Sequence, residues 1–484
     1  MPSDGELFNL FEQALQAYNP WWHGVSRDTP SFRRPLFEEL LQDAAELRQI
    51  ISLTGPRRVG KTTLVLQVIQ HLIGNKGVSP SRIVYYSLDD PILARIPEGP
   101  RAIDAIVERF FDLRTRKPRE GVQAPIYVFL DEIQRFDRWE LHLKKYYDLE
   151  LPIRWLVTGS ASSPIFKKSR ESLLGRIKDH HLLPFSFREY VLFRTQDQRA
   201  LQEIVASGTR IREDVFRSSS GRRLAGSAAE FQRGLIPHRD FLQNAFPKFL
   251  VCGGFPEVWD LPDAIRRQEY LFDNQVQKVI FEDLFYATQF RKPENIRRFY
   301  LYLITRPGEE IRIDAVASEI GASRVMLERY LPLLEMTDLV KTIQKFTRKP
   351  LKVKRSNLKA YLVDLGIRNA VMKLDERLLQ DDGLLGKYAE NLVFRTALAW
   401  REQLELSYYR DREKEVDFVA TLAADRFLPI EVKYTTQPRA PGYLREFTEH
   451  LQQDLALAIG RNVEPEWHDP IVDLGLLEFL LIFG

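Results

Sequence analysis

Gly55-Pro56-Arg57-Arg58-Val59-Gly60-Lys61-Thr62-Thr63 is the stretch that decides the fold. The apolar run Gln49–Thr54 before it reads as a strand, and the amphipathic run Thr63–Leu72 after it reads as a helix. The glycines let the main chain of Pro56, Arg57, Arg58 and Val59 wrap a chain of phosphates, with successive N–H groups turned inward. Lys61 would bridge the terminal phosphates. Thr62 would ligate Mg²⁺, and the helix N-terminus at Thr62 and Thr63 adds a field that favours an anion. The spacing predicts a nucleotide site for ATP and Mg²⁺.

The surrounding sequence alternates short β-rich runs with helical ones. Gln49–Thr54, Ile83–Ser87, Ile126–Leu130, Arg154–Thr158 and His180–Leu183 read as strands apolar enough to be covered on both faces, as in a parallel sheet. Tyr127-Val-Phe-Leu-Asp131-Glu132 would deliver Asp131 to the Mg²⁺ shell and Glu132 to the attacking water. Thr158-Gly-Ser160 offers the hydroxyl of Ser160 where a γ-phosphate should lie, with a plain turn as the alternative. Arg176 is a candidate arginine finger acting on a neighbouring subunit, with a surface arginine as the alternative.

The bulk numbers narrow the setting. A chain of 484 residues is too long for one core, and 44% hydrophobic with 28% charged residues describes a folded protein. Net charge is +3, so nucleic-acid contact has to rest on local basic clusters. Cys252 is the only cysteine, which excludes an internal disulfide and suits a reducing, cytoplasmic setting. The N-terminus lacks the pattern of a secretory signal, and no apolar run reaches the length of a membrane span. The organisation expected is a helical extension over 1–45, a P-loop ATPase domain over 46–240 with an insertion at about 197–240, a helical and winged-helix region over 241–375, and an α/β domain over 376–484.

In the third region, Ile313–Ile320, a turn at Gly321–Ser323 and Arg324–Leu334 have helix-turn-helix spacing, with Pro332 expected to kink or end the second helix. Leu339–Ile343 and Leu351–Arg355 could form a two-stranded wing. From Lys341 to Lys359 the chain carries Lys341, Lys345, Arg348, Lys349, Lys352, Lys354, Arg355 and Lys359 without one acid. Such a segment would track DNA phosphates; a solvated hairpin, or one docked on an acidic neighbour, is the alternative. In the last domain, Asp417 opens a strand, and Glu431 and Lys433 share one face of the next. Glu390 lies on a helix before them. The eight histidines show no metal-ligand spacing, and His180 and His181 sit on a buried-looking strand.

Two resemblances follow. The phosphate loop, Phe129-Leu-Asp-Glu-Ile-Gln, Thr158-Gly-Ser and Leu173-Leu-Gly-Arg, followed by Leu183-Pro-Phe-Ser-Phe-Arg-Glu-Tyr, resemble the prokaryotic AAA-type ATPases of the archaeal ATPase group. Members of that group join this core to a C-terminal region of unknown function, and Phe249-Leu-Val-Cys-Gly-Gly-Phe-Pro-Glu-Val resembles the junction. The order helix acid, strand Asp, Glu-x-Lys resembles the restriction-endonuclease-like superfamily. That resemblance implies metal ligation by Asp417 and Glu431, an outer or second-metal role for Glu390, and charge stabilisation by Lys433. The expected activity is an Mg-dependent ATPase that binds DNA and couples ATP to DNA remodelling or cleavage, as a homo-oligomer if Arg176 acts in trans. The alternative is an ATP-controlled switch with an inactive nuclease-like domain.

Overall fold

The computed structural model describes residues 4–93, 101–136, 138–160, 172–195, 199–218, 220–284, 293–348, 358–400, 404–412, 414–435 and 442–484. The chain divides into two compact units, Met1–Leu183 with Glu282–Gln289, and Pro184–Phe281 with Phe290–Gly484. Among the described residues no helix is long and apolar enough to cross a membrane.

The first unit is built on five parallel strands: β1 (Ile50–Gly55), β2 (Ile83–Ser87), β3 (Ile126–Asp131), β4 (Ile153–Ser160) and β5 (Ile177–His181), in the order β2-β3-β4-β1-β5. Every residue of β1, β2 and β3 is buried, which is why these runs are largely apolar and do not alternate. Two helices precede the sheet, α1 (Asp4–Tyr18) and α2 (Leu36–Glu46). They are not an appendage. Phe11, Ala14 and Leu15 of α1 enter the main core, and the Phe11 ring meets Tyr86 edge-on at 5.2 Å. Just after α1, the Asn19 amide closes the free edge of β2: it donates to Tyr85 O at 2.9 Å and accepts from Tyr85 N at 2.7 Å. Beyond β1 comes α3 (Lys61–Gly74).

The second unit begins before the expected domain boundary. The segment read as an insertion in the ATPase domain forms two helices that belong to this unit, and α4 (Phe187–Arg194) opens it through a Ser186–Glu189 capping box. The two are α5 (Arg199–Ser218) and α6 (Gly221–Leu235). Small residues seat them: a Cβ on Gly208 would stand 2.9 Å from Ile482 Cα, and one on Gly221 would stand 2.5 Å from Trp467 Nε1. Next comes α7 (Arg239–Cys252), then α8 (Ile313–Ile320) and α9 (Arg324–Met336), joined through Gly321 at φ 68° and capped by Ser323. Pro332 does not end α9. The helix runs on to Met336, because Leu331 and Leu334 are buried on either side of the proline.

A nine-stranded sheet carries the rest: β6 (Glu310–Ile311), β7 (Val340–Lys345), β8 (Leu358–Leu362), β9 (Glu405–Asp411), β10 (Lys414–Ala423), β11 (Arg426–Lys433), β12 (Ala456–Gly460), β13 (Glu466–His468) and β14 (Ile471–Gly475). The order is β13-β14-β12-β11-β10-β9-β7-β8-β6. After the helix pair, β7 pairs antiparallel with β8; Leu351–Arg355, expected as the second strand of the wing, and Lys349 lie outside the described residues. Ser407 of β9 also pairs parallel with Gln344 of β7, so one sheet runs across the boundary expected at 375. Among the helices packed on it are α6, α10 (Asp382–Leu398), α11 (Gly442–His450) and α12 (Leu476–Phe483), whose one acid, Glu478, is buried.

Candidate nucleotide and metal sites

The phosphate loop leaves the C-terminal edge of β1, the end of a parallel sheet where ligands bind. Two of its residues take the left-handed region, Arg58 at φ 62° and Gly60 at φ 97°, and Gly60 then caps α3. Gly55 is fixed by space: a Cβ there would lie 2.1 Å from the Leu182 carbonyl oxygen. Lys61 is buried at 5% exposure, and its Nζ donates to the carbonyls of Gly55 at 3.1 Å and Pro56 at 2.8 Å. The ammonium therefore sits inside the curve of the loop, where the phosphates of a nucleotide would exchange for those carbonyls.

Asp131 ends β3 facing this helix start. Its Oδ2 accepts from Thr62 Oγ1 at 2.6 Å and from Tyr85 OH at 2.9 Å, and its Oδ1 accepts from Thr158 Oγ1. Hydroxyl and carboxylate thus converge on one point, and these hard oxygens fit Mg²⁺. Glu132 follows at φ 54°, held by Gln134 Nε2 on its carboxylate. The unusual backbone turns Glu132 out of the strand direction of its neighbour, so the two successive acids meet different partners. β4 lies between the strands of the loop and of Asp131, and its last residue, Ser160, stands in register with Gly55. Ser160 is 2% exposed at the same edge of the sheet.

Arg176 does not join this group. It immediately precedes β5, where its carbonyl accepts from Ile50 N at the other end of β1, roughly 17 Å of strand from the loop. Its guanidinium donates to Asp148 Oδ1 at 2.9 Å and lies over the Tyr147 ring.

In the second unit, Asp417 on β10 and Glu431 on β11 meet across the antiparallel pair. Both are buried, at 8% and 1% exposure. Glu431 Oε1 accepts from Tyr443 OH at 2.6 Å and faces Lys433 Nζ at 2.6 Å. Burial raises the Asp417 carboxyl well above the usual carboxylate range, and Glu390 and Glu431 push it further. Burial also raises Glu390, against the pull of Lys359 and the Tyr361 hydroxyl, which donates to it at 2.7 Å. Burial disfavours the charged Lys433, but the Glu431 carboxylate more than offsets it and the ammonium is held. Among the described residues, Glu390, Asp417 and Glu431 do not bring ligand atoms all within 4.8 Å of one another. Glu390 turns toward Lys359 and Tyr361, because these two side chains occupy its carboxylate.

The basic segment is divided. Lys359 is 3% exposed and ion-paired with Glu415, with Glu390 at 3.7 Å, so it belongs to the acidic cluster and not to a phosphate-tracking face. Lys341 is held by Asp338 at 2.7 Å, and Arg348 donates to the His450 carbonyl at 3.0 Å. Lys345 is exposed, and Lys349, Lys352, Lys354 and Arg355 lie outside the described residues. On α9, Arg324 pairs with Asp314 and Glu328, while Arg329 is exposed. Glu415, Tyr361 and Tyr443 were not singled out in the sequence. Only Glu415, two residues before Asp417 and so on its face of the strand, carried a readable signal.

Residues 47–191 match the family model described as an AAA domain, residues 243–378 a domain of unknown function (DUF8612), and residues 385–470 a second domain of unknown function (DUF4143). Among relatives, the uncharacterized protein MJ1544 of Methanocaldococcus jannaschii is 24% identical over 411 residues, spanning 80% of this chain and 79% of its own. The uncharacterized protein MJ1637 of the same archaeon is 24% identical over 359 residues, spanning 72% and 67%. The solved structure of C. elegans PCH-2 aligns with 43% of this chain and 49% of its own at 15% identity, with a TM-score of 0.23. The first unit therefore carries an AAA-type nucleotide-binding ATPase domain on a parallel sheet, and its relatives include archaeal proteins.

Proposed function

We propose that the chain is an Mg-dependent ATPase whose AAA domain governs a divalent-metal site for DNA in the second unit. The observation that carries the ATPase half is the convergence of Thr62 and Asp131 beside Lys61. When bound, Mg²⁺ would supply charge neutralisation at the phosphates of ATP. Lys61 would bridge the terminal phosphates, Thr62 and Asp131 would hold the metal, Glu132 would orient water for attack, and Ser160 would lie beside the terminal phosphate.

The second half rests on Asp417 facing Glu431, two buried carboxylates set opposite each other where like charges repel. Asp417 and Glu431 would hold a hard divalent cation that relieves this repulsion, and Lys433 would steady a scissile phosphate. The winged-helix reading of α8, α9 and the β7–β8 hairpin is supported by their order and by exposed Lys345 and Arg329. DNA would reach this site past the exposed Lys345 and Arg329. The test is Mg²⁺-dependent cleavage of single-stranded, duplex and branched DNA, with and without ATP, beside Glu431→Ala and Lys61→Ala proteins. The reading requires cleavage that Glu431→Ala abolishes.

A second reading, an ATP-controlled switch with an inactive nuclease-like domain, is favoured by the ties that already satisfy Glu431 and Glu390. Its signature is DNA left intact under every condition while ATP turnover persists.

A further inference from the structure

His180, on β5, has a side chain with no solvent exposure. Facing it are two acids one helical turn apart on α2, Glu39 and Asp43, which share a face of that helix. Asp43 Oδ2 lies 2.9 Å from His180 Nε2, and Glu39 Oε1 lies 3.8 Å from Nδ1. Nδ1 is buried and makes no hydrogen bond. With the proton on Nε2 and donated to Asp43, Nδ1 presents a bare lone pair toward a second carboxylate. Leaving such a nitrogen buried and unsatisfied is costly, so a plain His–Asp pair does not account for the arrangement.

We propose that Glu39, Asp43 and His180 form a binding site for a transition-metal cation of the zinc type. One ligand atom from each residue lies within 4.8 Å of the others. Zinc bonds of about 2.0–2.2 Å in a tetrahedral shell put neighbouring ligand atoms about 3.3 Å apart. Asp43 and Glu39 approach different ring nitrogens, so an ion bound at Nδ1 would sit beside Glu39 and draw Asp43 off Nε2 to complete the set. Imidazole beside carboxylates suits zinc, and not the all-oxygen shell Mg²⁺ prefers. Glu39 is 54% exposed, which gives the ion a way in and water a fourth position. Lys178 Nζ, 3.9 Å from Glu39, is the cation that the metal replaces.

The site would brace the phosphate loop. Two residues beyond His180, Leu182 N donates to Thr54 O at 2.8 Å, and its carbonyl packs against Gly55. His181 Nδ1 lies 2.9 Å from Thr54 Oγ1. An ion joining α2 to β5 therefore fixes the strand that backs the loop.

The experiment strips the full-length protein with chelator and titrates it with Zn²⁺ or Co²⁺ under excess Mg²⁺, which fills the oxygen sites. Wild type and Asp417→Asn are expected to retain one equivalent of zinc and to give a tetrahedral Co²⁺ absorption spectrum. His180→Asn and Glu39→Gln should lose both; Glu39 is exposed, so its variant reports even if His180→Asn does not fold. Wild type that takes up no zinc, or Glu39→Gln that retains as much as wild type, overturns the proposal.

Discussion

Asp417 and Glu431 face each other across β10 and β11, and each carboxylate accepts a main-chain N–H from the opposite strand: Asp417 N donates to Glu431 Oε2 at 3.3 Å, and Val432 N donates to Asp417 Oδ2 at 2.8 Å. The pairing lies one step beyond Phe418 and Ile430 in the antiparallel register. Side chains thus take ladder positions while two negative groups are pressed together. Because burial raises the Asp417 carboxyl, the native state holds its proton more tightly than the unfolded chain, and stability falls as pH rises through the range between the two. Asp417→Asn is expected to be more stable than wild type at neutral pH. That advantage should fade in acid. Mg²⁺ or Mn²⁺ should raise the melting temperature of wild type and leave Asp417→Asn unmoved. Equal responses of the two proteins to metal would count against a cation site here.

Glu132 and Lys61 separate hydrolysis from binding. Lys61→Ala removes the ammonium within the loop and should abolish ATP binding in a filter or fluorescence assay. Glu132→Gln keeps the shape and the Gln134 contact but loses the basic oxygen, so ATP should still bind while turnover drops on the order of 10²–10⁴-fold. A Glu132→Gln protein that hydrolyses ATP at the wild-type rate would remove this residue from the chemistry.

The first unit was legible because its signals are local. Eight consecutive residues announce the loop, and fully buried parallel strands announce themselves as apolar runs. The second site was legible only in part. Glu431 and Lys433 are near neighbours in sequence, but Lys359 reaches Glu415 from 56 positions away, and nothing in a run of lysines marks one of them as internal. His180 is 137 positions from Asp43, so spacing rules for metal ligands pass over it. The segment at about 197–240 read as an insertion because its arginines hide the apolar positions that seat it. Pro332 misled for a related reason: local propensity yields where burial on both sides holds a helix together.

Arg176 offers a sharp test of the arginine-finger expectation. An arginine finger contributes on the order of 10³-fold or more to turnover, whereas an exposed ion pair such as that with Asp148 is worth about 0–1 kcal/mol. From its place at the far edge of the sheet, Arg176→Ala should leave the kcat for ATP within roughly twofold, because only that ion pair is lost. A thousandfold fall that is relieved by mixing with an otherwise inactive Lys61→Ala protein would instead establish action on a neighbouring copy.

Asp364 explains the first glycine of the pair in the junction motif and sets a pH dependence of its own. Fully enclosed in the second unit, its carboxylate accepts from Gly254 N at 2.6 Å and from Ile367 N at 3.2 Å, while a Cβ on Gly253 would lie 2.3 Å from its Oδ1. Burial pushes its pKa up to about 6 in spite of those donors. Since the unfolded value is about 3.9, the native state binds the extra proton between roughly pH 4 and pH 6. Its contribution to stability is complete below the unfolded value, declines as pH rises through that interval, and is lost above it, a change of about 3 kcal/mol. Asp364→Asn cannot titrate, so its stability should lack this step even if the lost acceptor makes it weaker overall. Urea unfolding of both proteins at several pH values reads the difference directly: the gap between them should shrink as pH rises toward neutrality. Parallel curves across the interval would mean that Asp364 stays ionised in the native protein, and that the Gly254 and Ile367 N–H groups offset its burial in full.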